Sequence, residues 1–223
     1  AKCMDYRIVD AKTDPIGQTE NFYKEHLLRM PYTFSVFLPS QDLETILPVE
    51  EPPCQTKNEV VFGSYNNIAK INSKVIECWA KILHKVPQSR LFIKSHQFQY
   101  KDAVKRIELL FDKEGISSDR LDFLGHFPTK RQSYESMLNI DICLDSFPYN
   151  GTTTTCETLY MGVPVVALKG ACHRARVSYS QLSSIGLEEL CSETIEGYVE
   201  LAVRLATDKE YLFEIRRGIR EKM

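Results

Sequence analysis

The stretch DICLDSFPYNGTTTTCETLYMGVPVVAL (141–168) decides the fold of this chain. It begins with a short apolar segment, DICLD (141–145), and continues through a tight turn into a helical segment that ends at Gly162. A second apolar segment, VPVVALKG (163–170), follows. This order predicts a βαβ unit with parallel strands. Parallel strands are buried on both faces, which explains why both segments are continuously apolar rather than alternating.

The same alternation of strand and helix extends toward the N-terminus. Three more strands are predicted at EVVFG (59–63), RLFIKS (90–95) and RLDFLG (120–125), each followed by a helical pattern. We therefore predict an α/β fold, a Rossmann-like parallel sheet of five strands with helices on both faces. Ligands of such sheets bind beyond the carboxyl ends of the strands, so the residues that follow each strand are the candidates for a site.

The first 58 residues differ from this pattern, because they hold six of the ten prolines. Within them, residues 19–29 are predicted to form a short helix with Phe22, Leu27 and Leu28 facing inward. We divide the chain into residues 1–58, the tail of a preceding unit plus a linker, and residues 59–223, a Rossmann-like domain. The start AKCMDYRIVDAKTD has neither a signal core nor an initiating Met, which suggests a longer parent chain.

Composition excludes several classes of protein. With 43% hydrophobic and 26% charged residues, the chain is typical of a globular protein with a sizeable core. The net charge of −2 gives no basic excess for nucleic acid, and no apolar run reaches the ~20 residues that a membrane span needs. The seven cysteines are odd in number and form no CxxC, which favours reduced thiols in a cytoplasmic protein over a disulfide framework or zinc site.

The strongest candidate site is FPYNGTTTTCETL (147–159), where a strand ends, the chain turns and a helix begins. A helix start binds anions through its free N–H groups and its dipole. The hydroxyls of Thr152–Thr155, which follow the turn at Gly151, add donors that suit a diphosphate. Glu157, one turn into the helix, could accept from ribose hydroxyls. The simpler alternative is an ordinary helix cap with exposed threonines.

The loop after the first sheet strand, FGSYNNIAKI (62–71), carries a second candidate. Lys70 is expected at the same sheet edge as the threonines, where an ammonium can neutralise a phosphate. Asn66 and Asn67 supply amide donors. The alternative for this segment is a solvated lysine on a loop.

Two further loops carry weaker signals. In GHFPTKR (125–131), Lys130 could lie near the phosphates or the base, whereas His126 is at least as well explained as a structural residue. In KGACHRARVSYS (169–180), a local basic cluster could meet the sugar or simply be solvated; it comprises His173, Arg174 and Arg176.

Several common motifs are absent from the sequence. It has no GxGxxG after a strand, no GxxxxGK[ST], no HExxH and no DxD. A metal-dependent transfer therefore lacks its usual ligands, and no metal or other cofactor is predicted. The charge on a departing diphosphate would be stabilised by a lysine, hydroxyls and a helix end.

Four segments resemble the family 41 glycosyltransferases, which comprise the O-GlcNAc transferases and the SPINDLY proteins. They are MDYRIVD (4–10), FGSYNNIAKI (62–71), DSFPYNGTTTTCETLYMGVPVVAL (145–168) and YLFEIRRGIREKM (211–223). The segment TTTTCETLYMGVPVV (152–166) is most similar to the SPINDLY branch.

The resemblance implies the C-terminal, donor-binding half of a GT-B glycosyltransferase. Such an enzyme transfers a sugar from UDP-GlcNAc or GDP-fucose to Ser or Thr hydroxyls of proteins, with inversion and without a metal. Protein acceptors would be bound by an N-terminal half and by tetratricopeptide repeats outside this chain, which we expect to be inactive alone. A nucleocytoplasmic location is expected in a eukaryote. Nucleic acid and membranes are not expected as partners.

The resemblance also assigns individual residues. The diphosphate-binding lysine of the family falls on Lys70, which makes it the predicted catalytic residue. An amide position falls on Asn67, and the His-Thr-Thr of O-GlcNAc transferases falls on Thr152–Thr154. Their ribose-binding Asp falls on Glu157. A lysine near the base falls on Lys130, and a histidine of the relatives is replaced by Ser133. These departures agree with the SPINDLY branch.

Two alternatives to a glycosyltransferase stay open at this point. Nucleotide-sugar epimerases share the GT-B architecture, and a non-catalytic scaffold could retain a nucleotide site for stability.

Overall fold

The computed structural model of the chain describes residues 3–46 and 51–223. The strands of the described residues are β1 (Tyr6–Asp10), β2 (His26–Met30), β3 (Val60–Ser64), β4 (Ser89–Lys94), β5 (Leu121–Leu124), β6 (Ile142–Leu144), β7 (Val165–Leu168) and β8 (Cys191–Ser192). The helices are α1 (Gln41–Glu44), α2 (Cys54–Lys57), α3 (Ser73–Lys85), α4 (Lys101–Lys113), α5 (Lys130–Met137), α6 (Thr153–Tyr160), α7 (Val177–Ser184), α8 (Ile195–Thr207), α9 (Lys209–Arg216) and α10 (Ile219–Lys222).

Strands β3 to β8 form one parallel sheet in the order β5-β4-β3-β6-β7-β8. The first strand of the sheet in chain order therefore lies at its centre, and the next strands are added first on one side and then on the other. This is the strand order of the Rossmann fold, so the predicted fold class is confirmed. The order reverses between β3 and β6, which makes the carboxyl ends of these two strands the expected place for a ligand.

The sheet has one strand more than the sequence predicted. Strand β8 consists only of Cys191 and Ser192, which pair with Ala167 and Leu168 of β7. A segment of two residues has no strand pattern of its own. It forms a strand by pairing with the outer edge of β7.

The helices cover the sheet through the apolar faces that their periodicity predicts. In α3, Val75, Trp79 and Leu83 are fully buried. The helix is capped by Asn72, whose Oδ1 atom accepts from the Val75 N–H at 3.2 Å. No helix of the described residues is both long and apolar enough to cross a membrane.

A hydrogen-bonded chain inside the core links two helices to the end of β6. The Trp79 indole N–H donates to the Tyr198 hydroxyl at 3.2 Å, and that hydroxyl donates to the carbonyl of Asp145 at 2.9 Å. Burial raises the pKa of Tyr198 well above its ordinary value, so the hydroxyl keeps its proton and can donate. These bonds hold α3 and α8 against the point where β6 leaves the sheet.

The predicted helix over residues 19–29 is wrong. Glu20–Phe22 form only a single 3₁₀ turn, and His26–Met30 form strand β2, which pairs in parallel with β1. Phe22 and Leu28 are exposed rather than inward-facing, at 68% and 48%. The pairing of β1 with β2 is a contact between distant residues, and local periodicity does not report it.

The N-terminal segment is bonded to the sheet domain through a buried carboxylate. One oxygen of Asp10 accepts from the N–H groups of Lys12 and Thr13, at 2.8 and 2.7 Å. The other oxygen accepts from the Phe34 N–H at 2.9 Å and from the Ser180 hydroxyl of α7 at 2.7 Å. The division of the chain after residue 58 stays a prediction, and the bond from Ser180 to Asp10 crosses it.

We predict that Tyr198→Phe destabilises the protein by about 1–3 kcal/mol, because the Trp79 N–H and the Asp145 carbonyl would lose a partner in a core without water. The measurement is the free energy of unfolding in urea. The matched control is Tyr211→Phe on α9, where the ring lies on Arg204 and the change should cost little. Equal effects of the two substitutions would contradict the prediction.

Candidate donor-binding site

The site is organised by a buried carboxylate, that of Asp145, directly after β6. Its Oδ1 atom accepts from the Asn66 amide at 2.9 Å and from the backbone N–H groups of Ser146 and Gly151, at 2.9 and 2.8 Å. Its Oδ2 atom accepts from the Ser178 hydroxyl at 2.6 Å. Burial raises the pKa of Asp145, and these bonds counteract the rise. One carboxylate thus joins the loop after β3, the turn after β6 and helix α7.

Lys70 lies in the loop after β3 with its ammonium directed at this turn. The Nζ atom donates to the Asn150 carbonyl at 2.7 Å and lies 4.2 Å from the centre of the Tyr149 ring. Burial lowers the pKa of Lys70, and the charge of Asp145 counteracts the fall. No carboxylate of the described residues forms an ion pair with this ammonium. Its charge is therefore available to an anionic ligand.

The N-terminus of α6 lies beside Lys70. The first helical bond of α6 runs from the Cys156 N–H to the Thr152 carbonyl at 3.1 Å, so the preceding N–H groups are not used inside the helix. The Thr152 side chain forms no capping bond, and Thr152 and Thr154 are half-buried while Thr153 is exposed. A helix end with free N–H groups next to an unpaired ammonium is a site for a phosphate.

One of the four threonines departs from the prediction. The Thr155 hydroxyl is buried, 3.5 Å from that of Ser178, so it points into the core and is not a donor for a ligand. The cause is the helical period: Thr155 follows Thr152 by almost one turn, on the side that faces α7.

The amides predicted as donors also have partners within the protein. The Asn66 amide donates to Asp145, and the Asn66 Oδ1 atom lies 3.5 Å from Lys70 Nζ. The Asn67 Oδ1 atom accepts from the Ala69 N–H at 2.9 Å. Both residues therefore shape the loop that carries Lys70.

Gly151 is required by close packing at the turn. A Cβ atom here would lie 2.2 Å from Thr155 Oγ1, which is too close for any side chain, and 3.2 Å from Asp145 Oδ1, which is a tight contact. The absence of a side chain lets the turn approach the Asp145 carboxylate.

A second group of polar side chains lies one turn further along α6. Glu157 is half-buried, and its Oε1 atom accepts from the Tyr134 hydroxyl at 3.2 Å. Burial raises the pKa of Glu157, whereas the charges of Lys94 and Lys130 lower it. Lys130 is exposed at the start of α5. Lys94, whose charge acts on Glu157, was not among the residues predicted for the site. Its position at the end of an apolar strand next to the central strand β3 is the sequence signal that could have pointed to this edge of the sheet.

Two basic residues of the loop after β7 form hydrogen bonds with the N-terminal segment. His173 Nδ1 lies 2.6 Å from Asp14 Oδ2, and the Arg176 guanidinium donates to the Lys12 carbonyl at 2.6 Å. The Arg174 carbonyl accepts from the Asn150 N–H at 2.9 Å, which braces the turn beside Lys70.

This chain is similar to known proteins over most of its length. The family model described as glycosyl transferase family 41 matches residues 53–223. A probable UDP-N-acetylglucosamine–peptide N-acetylglucosaminyltransferase SPINDLY of Petunia hybrida is 40% identical over 220 residues, 99% of this chain and 23% of that protein. Its counterpart in Arabidopsis thaliana is 39% identical over 99% of this chain and 24% of that protein.

Solved structures of glycosyltransferases also resemble this chain. A mutant O-GlcNAc transferase of Thermobaculum terrenum superposes with a TM-score of 0.88 at 32% identity, covering 98% of this chain and 40% of that one. Sucrose-phosphate synthase of Thermosynechococcus elongatus superposes at 0.66 and 17% identity over 98% of this chain and 53% of that one, a likeness of fold alone.

This chain spans about a quarter of the length of the SPINDLY relatives, 23% in the case of Petunia hybrida. The family model matches residues 53–223 and the relatives match 99% of this chain, so it belongs to glycosyl transferase family 41.

Proposed function

We propose that this chain is the donor-binding half of a protein O-glycosyltransferase, which transfers a sugar from a UDP- or GDP-linked donor to Ser or Thr hydroxyls. The observation that carries the proposal is the Lys70 ammonium beside the free N–H groups of α6, at the point where the strand order reverses. Membership of family 41 supports it, since relatives are named as transferases from UDP-N-acetylglucosamine to peptides.

In the proposed reaction the hydroxyl oxygen of the acceptor attacks the anomeric carbon of the donor sugar, and the hydroxyl proton is released to solvent. The bond from that carbon to the diphosphate oxygen breaks, and its electron pair stays on the diphosphate. Negative charge therefore develops on the leaving group, where Lys70 and the N–H groups of α6 would stabilise it. Groups that are already in position stabilise such a charge without reorganising, which lowers the barrier.

The nucleoside would extend from the start of α6 toward Glu157. A carboxylate accepts hydrogen bonds from ribose hydroxyls, and the Tyr134 hydroxyl orients the Glu157 carboxylate for this role. Lys130, at the start of α5, would approach the phosphates or the base. Thr152–Thr154 would add hydroxyl and backbone donors on the diphosphate.

Acceptors and location are part of the same proposal. Protein acceptors would bind to an N-terminal half and tetratricopeptide repeats of the full-length protein, whose location would be cytoplasmic, or nucleocytoplasmic in a eukaryote. All seven cysteines are unpaired thiols, as is usual in a reducing compartment. Fluorescence microscopy of the tagged full-length protein would test the location.

We predict that Lys70→Met in the full-length protein lowers kcat by about 100-fold or more, because the departing diphosphate loses its cation. The measurement is transfer of labelled sugar to a protein acceptor. Lys74→Met is the matched control, since Lys74 is exposed on the first turn of α3. If Lys70→Met turned over like the wild type, Lys70 would not stabilise the leaving group. A wild type that binds the nucleotide but transfers no sugar would favour a scaffold role for the site.

Glu157→Gln is expected to weaken binding of the nucleoside diphosphate by roughly 10-fold, which is the loss of one charged hydrogen bond. Because burial raises the pKa of Glu157, the wild type should lose affinity as the pH falls through this raised value, and Glu157→Gln should not. Calorimetric titration at several pH values measures both effects, with Glu114→Gln at the exposed end of α4 as control. Parallel pH profiles of the wild type and Glu157→Gln would refute the ribose role.

A cofactor is not required by this proposal, because Lys70 and the α6 N-terminus supply the positive charge at the leaving group. Turnover of the full-length protein should therefore be the same in EDTA and in excess Mg²⁺. A loss of turnover in EDTA that Mg²⁺ or Mn²⁺ restores would show that the leaving group needs a cation as well.

A further inference from the structure

Three positively charged side chains surround one aromatic ring, that of Tyr179 on the first turn of α7. The Lys169 ammonium lies 4.5 Å from the centre of the ring, and the Lys12 ammonium lies 5.4 Å from it. The central carbon of the Arg176 guanidinium lies 5.7 Å from the same point. We call these three cations, together with the ring, the cationic cluster.

The cationic cluster lies where the carboxyl ends of the two sheets meet. Lys169 directly follows β7, and Lys12 lies two residues after β1. The carboxyl ends of parallel strands are the usual place for a ligand. Tyr179 is next to Ser178, whose hydroxyl donates to the Asp145 carboxylate at 2.6 Å. The cluster therefore borders the candidate donor-binding site.

The positive charge of the cluster is not balanced at the surface. Lys169 forms an ion pair with Glu193, whose side chain is 73% exposed. Among the described residues, Lys12 and Arg176 form no ion pair. The ring attracts each cation, but the three cations repel one another. A second anion at this place would relieve the repulsion.

The buried carboxylates of the same region do not face a partner in solution. Asp10 is fully buried and accepts the four hydrogen bonds described above. Asp14 is also fully buried, and one of its oxygens lies 2.6 Å from His173 Nδ1. A partner that approaches from solvent therefore meets the three cations and the single exposed carboxylate of Glu193.

The Arg176 guanidinium is held in place by backbone carbonyls. Its Nε atom donates to the Lys12 carbonyl at 2.6 Å, and its Nη1 atom donates to the Gly170 carbonyl at 3.3 Å. A guanidinium that is already fixed loses little conformational entropy when it binds. Its planar set of donors matches a carboxylate. The cluster is therefore preorganised for a carboxylate partner.

We propose that the cationic cluster binds acidic side chains of the protein acceptor, so that the enzyme prefers Ser and Thr residues in segments rich in Asp and Glu. This inference rests on the proposed function, because it assigns the cluster to the acceptor of that transfer. Complementary charge is what selects between such partners. Nucleic acid fits less well, since it is bound through many phosphate contacts and only Lys12 and Arg176 of the cluster lack an anion.

The test compares two synthetic acceptor peptides taken from a site that the full-length protein modifies. One peptide carries Glu on both sides of the acceptor hydroxyl, and its twin carries Gln at the same positions. The wild type should show a kcat/KM about fivefold higher for the Glu peptide, as expected for two exposed ion pairs. The difference should lie in KM and should shrink as the salt concentration rises, because exposed charges are screened.

Lys12→Glu reverses one charge of the cluster and should raise the KM of the Glu peptide about fivefold, with the Gln peptide unchanged. Lys12 is exposed and holds Arg176 only through its backbone carbonyl, so the substitution does not remove that bond. Lys12→Arg keeps the charge and should keep the preference. The matched control is Lys24→Glu, exposed just before β2 at the opposite end of the small sheet, which should behave like the wild type.

The outcomes distinguish this inference from the proposed function. A full-length protein that transfers no sugar to any protein of a cell extract would overturn the proposed function itself. Active protein with equal kcat/KM for the two peptides would overturn the inference alone. So would a Lys12→Glu variant in which the KM of the sugar donor rises while the preference for the Glu peptide stays, because the cluster would then serve the donor.

Discussion

The buried carboxylate of Asp145 is the interaction on which the rest of the site depends. It takes four hydrogen bonds from three separate segments of the chain, and its own backbone carbonyl is held by Tyr198 in the core. A buried charge is tolerated only when it is fully bonded. The loops after β3 and β6 can therefore adopt few other arrangements, and the ammonium of Lys70 is delivered to the start of α6 as a consequence.

The electrostatics of the site are local. The chain as a whole has a net charge of −2, yet Lys70 and the N–H groups of α6 together create a positive pocket. Burial lowers the pKa of Lys70 and raises that of Asp145, and each charge counteracts the shift of the other. The same relation recurs between Lys94 and Glu157 further along α6. Opposite charges therefore influence each other at two places along α6, at its start and one turn further on.

Much of this arrangement was predictable because it depends on short-range pattern. The apolar strands, the helix start at Thr152 and the lysine after β3 are all visible as local sequence. Asp145 was not recognised as the organising residue, since its partners Asn66 and Ser178 are 79 and 33 residues away. Thr155 was assigned to the ligand because its side chain type suited one, whereas the rotation of the helix directs it toward α7.

The sequence by itself determined the fold class, the position of the helix start after β6 and the placement of Lys70 in the loop after β3, because hydrophobic period and turn chemistry act locally. Only the tertiary structure decided which side chains are available. It turned Thr155 inward, engaged Asn66 with Asp145, and paired β1 with β2 where a helix was expected. These outcomes depend on contacts between residues far apart in the chain, and the packing of the whole domain determines such contacts.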